Sequence, residues 1–144
     1  MDNKSKCGCV LIINTEEQHP EIVTKVTGVE ATSLTVKGKP RINEKTGKYR
    51  PATQHVRNAW EWDPGHVYGS EWQIEDAICK TLDMIHSHPS FKTVFSTFKE
   101  CFIRGYAYIY DYNIVFGFST ETLHKLTEVG IPIEFDLYSF DEEN

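Results

Sequence analysis

Between Ile74 and Tyr110 the apolar residues change their period, and that change constrains the fold more than any other feature of the chain. Ile74, Ile78, Leu82 and Ile85 recur at helical spacing, and beyond Pro89 the residues Phe91, Val94, Phe95 and Phe98 fall at i, i+3, i+4 and i+7, as one face of a helix requires. From Cys101 the period becomes two. Phe102, Arg104, Tyr106, Tyr108 and Tyr110 alternate with Ile103, Gly105, Ala107 and Ile109, which places the two sets on opposite faces of a strand. Adjacent stretches of both kinds bury their apolar sides most simply against each other, so the expected class is α+β.

The remaining segments extend this pattern. Cys7 to Asn14, carrying Val10, Ile12 and Ile13, reads as a first strand. A short helix follows, with Pro20 at its start, Ile22, Val23 and Val26 as its stripe and Gly28 as its C-terminal cap. Val29 to Lys37 reads as a second strand with Leu34 and Val36 on one face, ended by Gly38-Lys39-Pro40. Gln54 to Trp62 alternates Val56, Asn58, Trp60 and Trp62 against His55, Arg57, Ala59 and Glu61, a half-buried strand closed by Asp63-Pro64-Gly65.

Ser70 and Gln73 form a capping box for the helix that carries Ile74. Asp111-Tyr112-Asn113 is expected to turn the alternating strand back into Ile114 to Phe118 as a hairpin. Ser119 caps a last helix whose Leu123, Leu126 and Val129 face inward, Gly130 ends it, and Ile133, Phe135 and Leu137 line one face of a final strand. The expected fold is therefore a mixed, mostly antiparallel sheet of about six strands with its helices mainly on one face, an elaborated ferredoxin-like arrangement. A chain of 144 residues suits one domain, with residues 1–6 and 141–144 expected to fray. No internal repeat or low-complexity tract interrupts it.

No run of about 18 apolar residues is present, so no membrane partner is expected, and the short apolar run Val10 to Ile13 leads to the expectation of no secretory leader. The expected location is the cytoplasm. There Cys7, Cys9, Cys79 and Cys101 stay reduced, and Cys7-Gly8-Cys9 reads as one face of a strand rather than a metal pair. The net charge of -6 argues against general nucleic-acid binding. It is unevenly spread: residues 37 to 57 hold seven Lys and Arg against Glu44, a local balance of +6 that leaves -12 elsewhere. Most of the basic residues fall on 38–53, which is expected to be an exposed loop for want of apolar side chains.

Val115-Phe116-Gly117-Phe118-Ser119, then Leu123, Leu126, Gly130 and Phe135-Asp136-Leu137-Tyr138 resemble a bacterial family known as domain of unknown function 4279. Val36-Lys37-Gly38-Lys39-Pro40 and Ala59-Trp60-Glu61-Trp62 extend the resemblance over residues 8 to 140. It implies an α+β fold and a bacterial or phage origin, and it supplies no catalytic residue.

His86-Ser87-His88-Pro89, followed by Ser96, resembles the zinc site of the JAMM/MPN+ metalloproteases. That resemblance implies His86 and His88 as ligands, with an aspartate eleven residues after the second histidine. Lys99 stands there instead, and an ammonium repels a metal. Three protein ligands are needed to hold a zinc that lowers its water pKa to about 7, so the expectation is a helix-end pair of histidines with Pro89 starting the next helix, and no metal or other cofactor. No Gly-rich phosphate loop, nucleophile elbow or CxxC is present. Asp111 and Asp136, a conceivable acid pair, are each explained by turn or strand position.

Two features point to binding. Tyr106, Tyr108 and Tyr110 share one face of their strand, and with Trp60 and Trp62 they would make a recognition surface if helices leave that face open. Lys39, Arg41 and Arg50 would serve an acidic group or a phosphate if their loop does more than solvate. The function expected from a small acidic domain with no catalytic set is non-enzymatic recognition of another protein, one with a basic surface, as in an immunity protein, an antitoxin or a phage-encoded inhibitor. The alternatives are a zinc-dependent hydrolase using His86 and His88, and a nucleotide- or small-ligand-sensing module at the basic loop.

Overall fold

The computed structural model describes residues 5–42, 49–68, 73–110 and 116–140, leaving aside the side chains of 40–42, 49–54 and 67–68. In chain order its elements are β1 (Lys6–Asn14), α1 (Glu21–Thr27), β2 (Ser33–Thr35), β3 (Pro40–Ile42), β4 (Tyr49–Gln54), β5 (Ala59–Trp62), β6 (Val67–Tyr68), α2 (Ile74–Ser87), α3 (Phe91–Thr97), β7 (Cys101–Ile109), α4 (Thr120–Val129) and β8 (Ile133–Ser139).

The main sheet runs β2-β5-β1-β7-β8, with the short β6 also paired to β1. β7 holds one edge of β1 from Lys6 to Ile13, so β5 and β6 share the other, β5 opposite Leu11 to Asn14 and β6 opposite Lys6 and Cys7. All these pairings are antiparallel except β7 with β8, which is parallel and joined through α4. This is the expected α+β class, a mixed and mostly antiparallel sheet with helices gathered on one side.

The two-residue period of the central strands decides which side. Cys7, Cys9, Leu11 and Ile13 of β1 and Cys101, Ile103 and Ala107 of β7 are buried. They lie in one cluster with Ile74, Ala77, Ile78, Leu82 and Ile85 of α2, the apolar face that the helical spacing marked out. Thr81, fully buried among them, donates to the Ala77 carbonyl at 3.0 Å and contacts Cys9 Sγ at 3.2 Å, so its hydroxyl loses no partner on leaving water. At the other end of the sheet Trp60 packs against Phe91 of α3, and its indole Nε1 donates to Thr24 Oγ1 of α1 at 3.0 Å.

Several expectations are corrected. Both edges of β7 are held, by β1 and β8, and Phe116 to Phe118 of the expected hairpin lie outside any strand; its residues 111–115 lie outside the described residues. The basic stretch is not a loop throughout: β3 and β4 pair as a two-stranded antiparallel sheet. Strand β2 covers three residues rather than nine. The expected strand from Gln54 breaks before Ala59, where buried Asn58 turns from alternation to cross-linking. Its Nδ2 donates to the Glu16 carbonyl at 2.8 Å and its Oδ1 accepts from Lys37 N at 2.9 Å.

Helix α2 is capped by Gln73 in extended conformation with no side-chain cap bond, so Gln73 is not the third residue of a capping box; Ser70 lies outside the described residues. The flanking helices bury narrower stripes than their apolar residues suggest. Val26 and Leu123 are exposed, whereas Val23, Thr27 and Thr122 are buried. Short helices at the rim of a small core present only one or two rows of side chains to it.

Candidate binding face on the open side of the sheet

The residues that alternate with the core set face away from the helices. On β7 these are Phe102, Arg104, Tyr106 and Tyr108, all half-buried. Register places Glu134, Asp136 and Tyr138 of β8 beside the last three of them, and Ile12 of β1 beside Phe102. Glu61 of β5 and Ser33 of β2 continue the same face through Ile12.

An aromatic row runs along this face. Tyr108 stacks on Tyr138 at 5.1 Å between ring centroids and on Phe140 at 6.2 Å, and Tyr110 stacks on Phe140 at 4.7 Å. Tyr106 meets Tyr108 edge to face at 6.1 Å. Such offset and edge contacts suit the ring quadrupoles and hold a flat, amphipathic surface in place.

Tyr106 is steered by what lies opposite it. Its register partner on β1 is Gly8, and a Cβ built at Gly8 would stand 2.7 Å from Tyr106 Cζ. The absence of that carbon lets the ring lie across β1 and reach the turn after β5. There the phenol oxygen meets His66 Nδ1 in a hydrogen bond and donates to Asp63 Oδ2 at 3.4 Å. The phenol thus bridges the imidazole and the carboxylate. Burial first, then the neighbouring Asp63, raises the phenol pKa above its ordinary 10.0, so Tyr106 remains a neutral donor at physiological pH.

Asp63 is itself fixed: Oδ1 accepts from Gly65 N at 2.7 Å and its own N–H donates to Thr32 Oγ1 at 2.9 Å. Between this turn, Glu61 and the two tyrosines lies a cleft of about 400 Å³, floored by Val10 and flanked by Lys6. The Lys6 ammonium sits 4.8 Å from the centre of the Tyr108 ring, as expected of a cation drawn to an aromatic face. Arg104 at the far side is paired with Glu134 at 2.6 Å.

Residues 5–140 match the family model described as a domain of unknown function, DUF4279. The chain belongs to that family. No curated protein and no solved structure matches it.

Within this DUF4279 domain the residues singled out from sequence separate. Tyr106, Tyr108 and Tyr110 come together in the aromatic row. Trp60 and Trp62 do not join them, because they pair with Ile13 and Leu11 on the helix side of the sheet, and Trp60 is fully buried there. Alternation had placed both tryptophans on one face correctly, but nothing local shows which face of β5 aligns with which face of β7. Lys39 is exposed next to the small β3–β4 sheet, in which Arg41 and Arg50 are register partners.

His86 and His88 flank the end of α2. His88 Nδ1 donates to the Met84 carbonyl at 2.8 Å, while His86 lines a second cavity beside Phe95 and Val129. Among the described residues no three His, Cys, Asp or Glu side chains come close enough to hold a metal ion, and no helix is long and apolar enough to cross a membrane.

Sequence reasoning passed over Lys6, Glu61, Asp63, His66, Tyr138 and Phe140. Asp63 read only as a turn former, and His66 has no periodic neighbour. Gly8 within a β-branched strand was the one available signal, since a strand glycine often marks a close approach.

Proposed function

We propose that this DUF4279 domain is a non-enzymatic binding protein that receives a second protein on the open face of its sheet, in the manner of an immunity protein, an antitoxin or a phage-encoded inhibitor. The observation that carries this reading is the aromatic row from Tyr106 to Phe140 on the face turned away from all four helices. Tyrosine gives large contact area at small entropic cost and is enriched at binding hot spots.

Charge indicates the kind of partner. Glu61, Asp63, Glu134 and Asp136 border the row, against Lys6 and the already paired Arg104. This local excess has the sign of the chain's net charge of -6. A partner with a basic surface is therefore favoured, and its encounter rate falls as salt rises.

The test compares the wild-type domain with Tyr108→Ala/Tyr138→Ala, both used to capture partners from lysate of the producing cell. Any captured protein is then purified and titrated into each form calorimetrically. A one-to-one complex that the variant binds roughly tenfold or more weakly supports the reading, as loss of a stacked aromatic pair at a hot spot would give. Equal binding by both forms, or no complex that survives purification, would overturn it.

A further inference from the structure

We propose that the cleft between Tyr108, Glu61 and Asp63 is a receptor for an arginine side chain presented by the partner. This rests on the binding-face reading above and names the group recognised. One wall of the cleft is aromatic, formed by Tyr106 and Tyr108 of β7; the other carries Glu61 on β5 and Asp63 just beyond it. A volume of about 400 Å³ has room for a guanidinium, its methylene stem and the backbone that carries them.

Both carboxylates are oriented by hydrogen bonds rather than neutralised. Ser33 Oγ donates to Glu61 Oε2 at 3.0 Å, and Gly65 N and the Tyr106 hydroxyl bind Asp63 at 2.7 and 3.4 Å. Neither carboxylate takes part in an ion pair among the described residues. Two held carboxylates beside a ring face make the cleft selective for positive charge.

One cation already answers to this potential. Lys6 lies over the Tyr108 ring at 4.8 Å without an ion pair among the described residues. An ammonium on a flexible stem is a point charge that can occupy the ring face. A planar guanidinium adds a hydrogen-bond fork that a carboxylate can accept from, while its methylene stem lies along the aromatic wall. Lys6 is then a competing occupant that must move aside for the ligand.

The experiment titrates the whole domain, observed by NMR, with the capped peptide Gly-Arg-Gly and with its isosteric neutral counterpart Gly-citrulline-Gly. Saturable shifts of Tyr106, Tyr108 and Glu61 resonances with the arginine peptide alone are expected. Glu61→Gln and Asp63→Asn, which keep side-chain shape, should each weaken the arginine peptide by about tenfold. Lys6→Gln should tighten it severalfold by removing the competing cation, a result that damage to the fold would not produce.

Equal shifts with citrulline, no saturation at tens of millimolar, or weaker binding by Lys6→Gln would each overturn the assignment. If the arginine peptide fails while a captured protein still depends on Tyr108 and Tyr138, the binding face stands and the arginine site falls. If the peptide binds and no protein partner is found, the arginine site stands without the wider reading.

Discussion

At Gly8 the open face is set by the lack of a single carbon. The requirement is one of space: Gly8 lies in a strand, and a Cβ there would meet Tyr106 Cζ at 2.7 Å. Gly8→Val should force the ring off β1 and break its bonds to His66 and Asp63. Forcing methyl groups into filled space costs roughly 1 to 3 kcal/mol, and the loss should appear as a lower urea midpoint together with a shifted Tyr106 ring resonance. An unchanged midpoint and unchanged ring would show that the tyrosine is not held against the strand. Asn58 is the counterpart among polar residues. Its place in an apparent alternation made it look like one more inward position, yet its amide joins Glu16 and Lys37 from two other segments. A glycine inside a strand signals a close approach but not the residue that makes it, and the role of Asn58 is not legible locally at all, because both depend on residues brought from elsewhere in the chain.

Single helices were more readable than strand partnerships. Ser119 has the extended backbone of an N-cap, and its Oγ accepts from Thr122 N at 3.2 Å. Gly130 closes the same helix with φ 73°, a left-handed conformation that costs an L side chain free energy. These signals act within a few residues, so sequence spacing suffices to find them. Replacing Ser119 with Ala removes the cap bond and should lower stability by about 1 kcal/mol, while Ser119→Asp should keep most of it; chemical denaturation of the three proteins checks the order. The strands behave differently. The alternation in β7 correctly separated Tyr106 and Tyr108 from Ile103 and Ala107, but the parallel return through α4 gave its free edge to β8 rather than to a hairpin. Pairing of distant strands follows from how the whole sheet closes over its helices.

Across the whole molecule, the thiols tie stability to pH. Cys7, Cys9 and Cys101 are free and buried. Burial raises their pKa values from 9.0 to about 11, about 12 and about 12. A thiolate is accommodated only after unfolding, so the folded chain binds these protons more tightly than the unfolded one. The contribution is therefore complete below pH 9.0 and is lost as pH rises through the folded values toward about 12. Tyr106, also raised, adds to the same trend above pH 10.0. Melting temperature should be level around neutral pH with respect to these groups and fall steadily above pH 9.0, less steeply in Cys9→Ala once its own starting stability is taken as reference. A flat profile up to about pH 11 would contradict the burial of these thiols.

The sequence by itself determined the α+β class, the family, the existence of all four helices, three of them close to their observed bounds at both ends, and the division of β7 into two faces. All of these arise from periodicity and capping, which operate over one or two turns or a few strand residues. Only the tertiary structure decided which face the helices cover. It thereby buried Trp60 while leaving Tyr108 open, and it assembled a cleft from Lys6, Glu61, Asp63 and Tyr106, residues of three strands and a turn. The physical reason is that a strand's alternation defines two faces but not their outlook. That is fixed when β1 settles between β5 and β7 and α2 closes over Leu11 and Ile103.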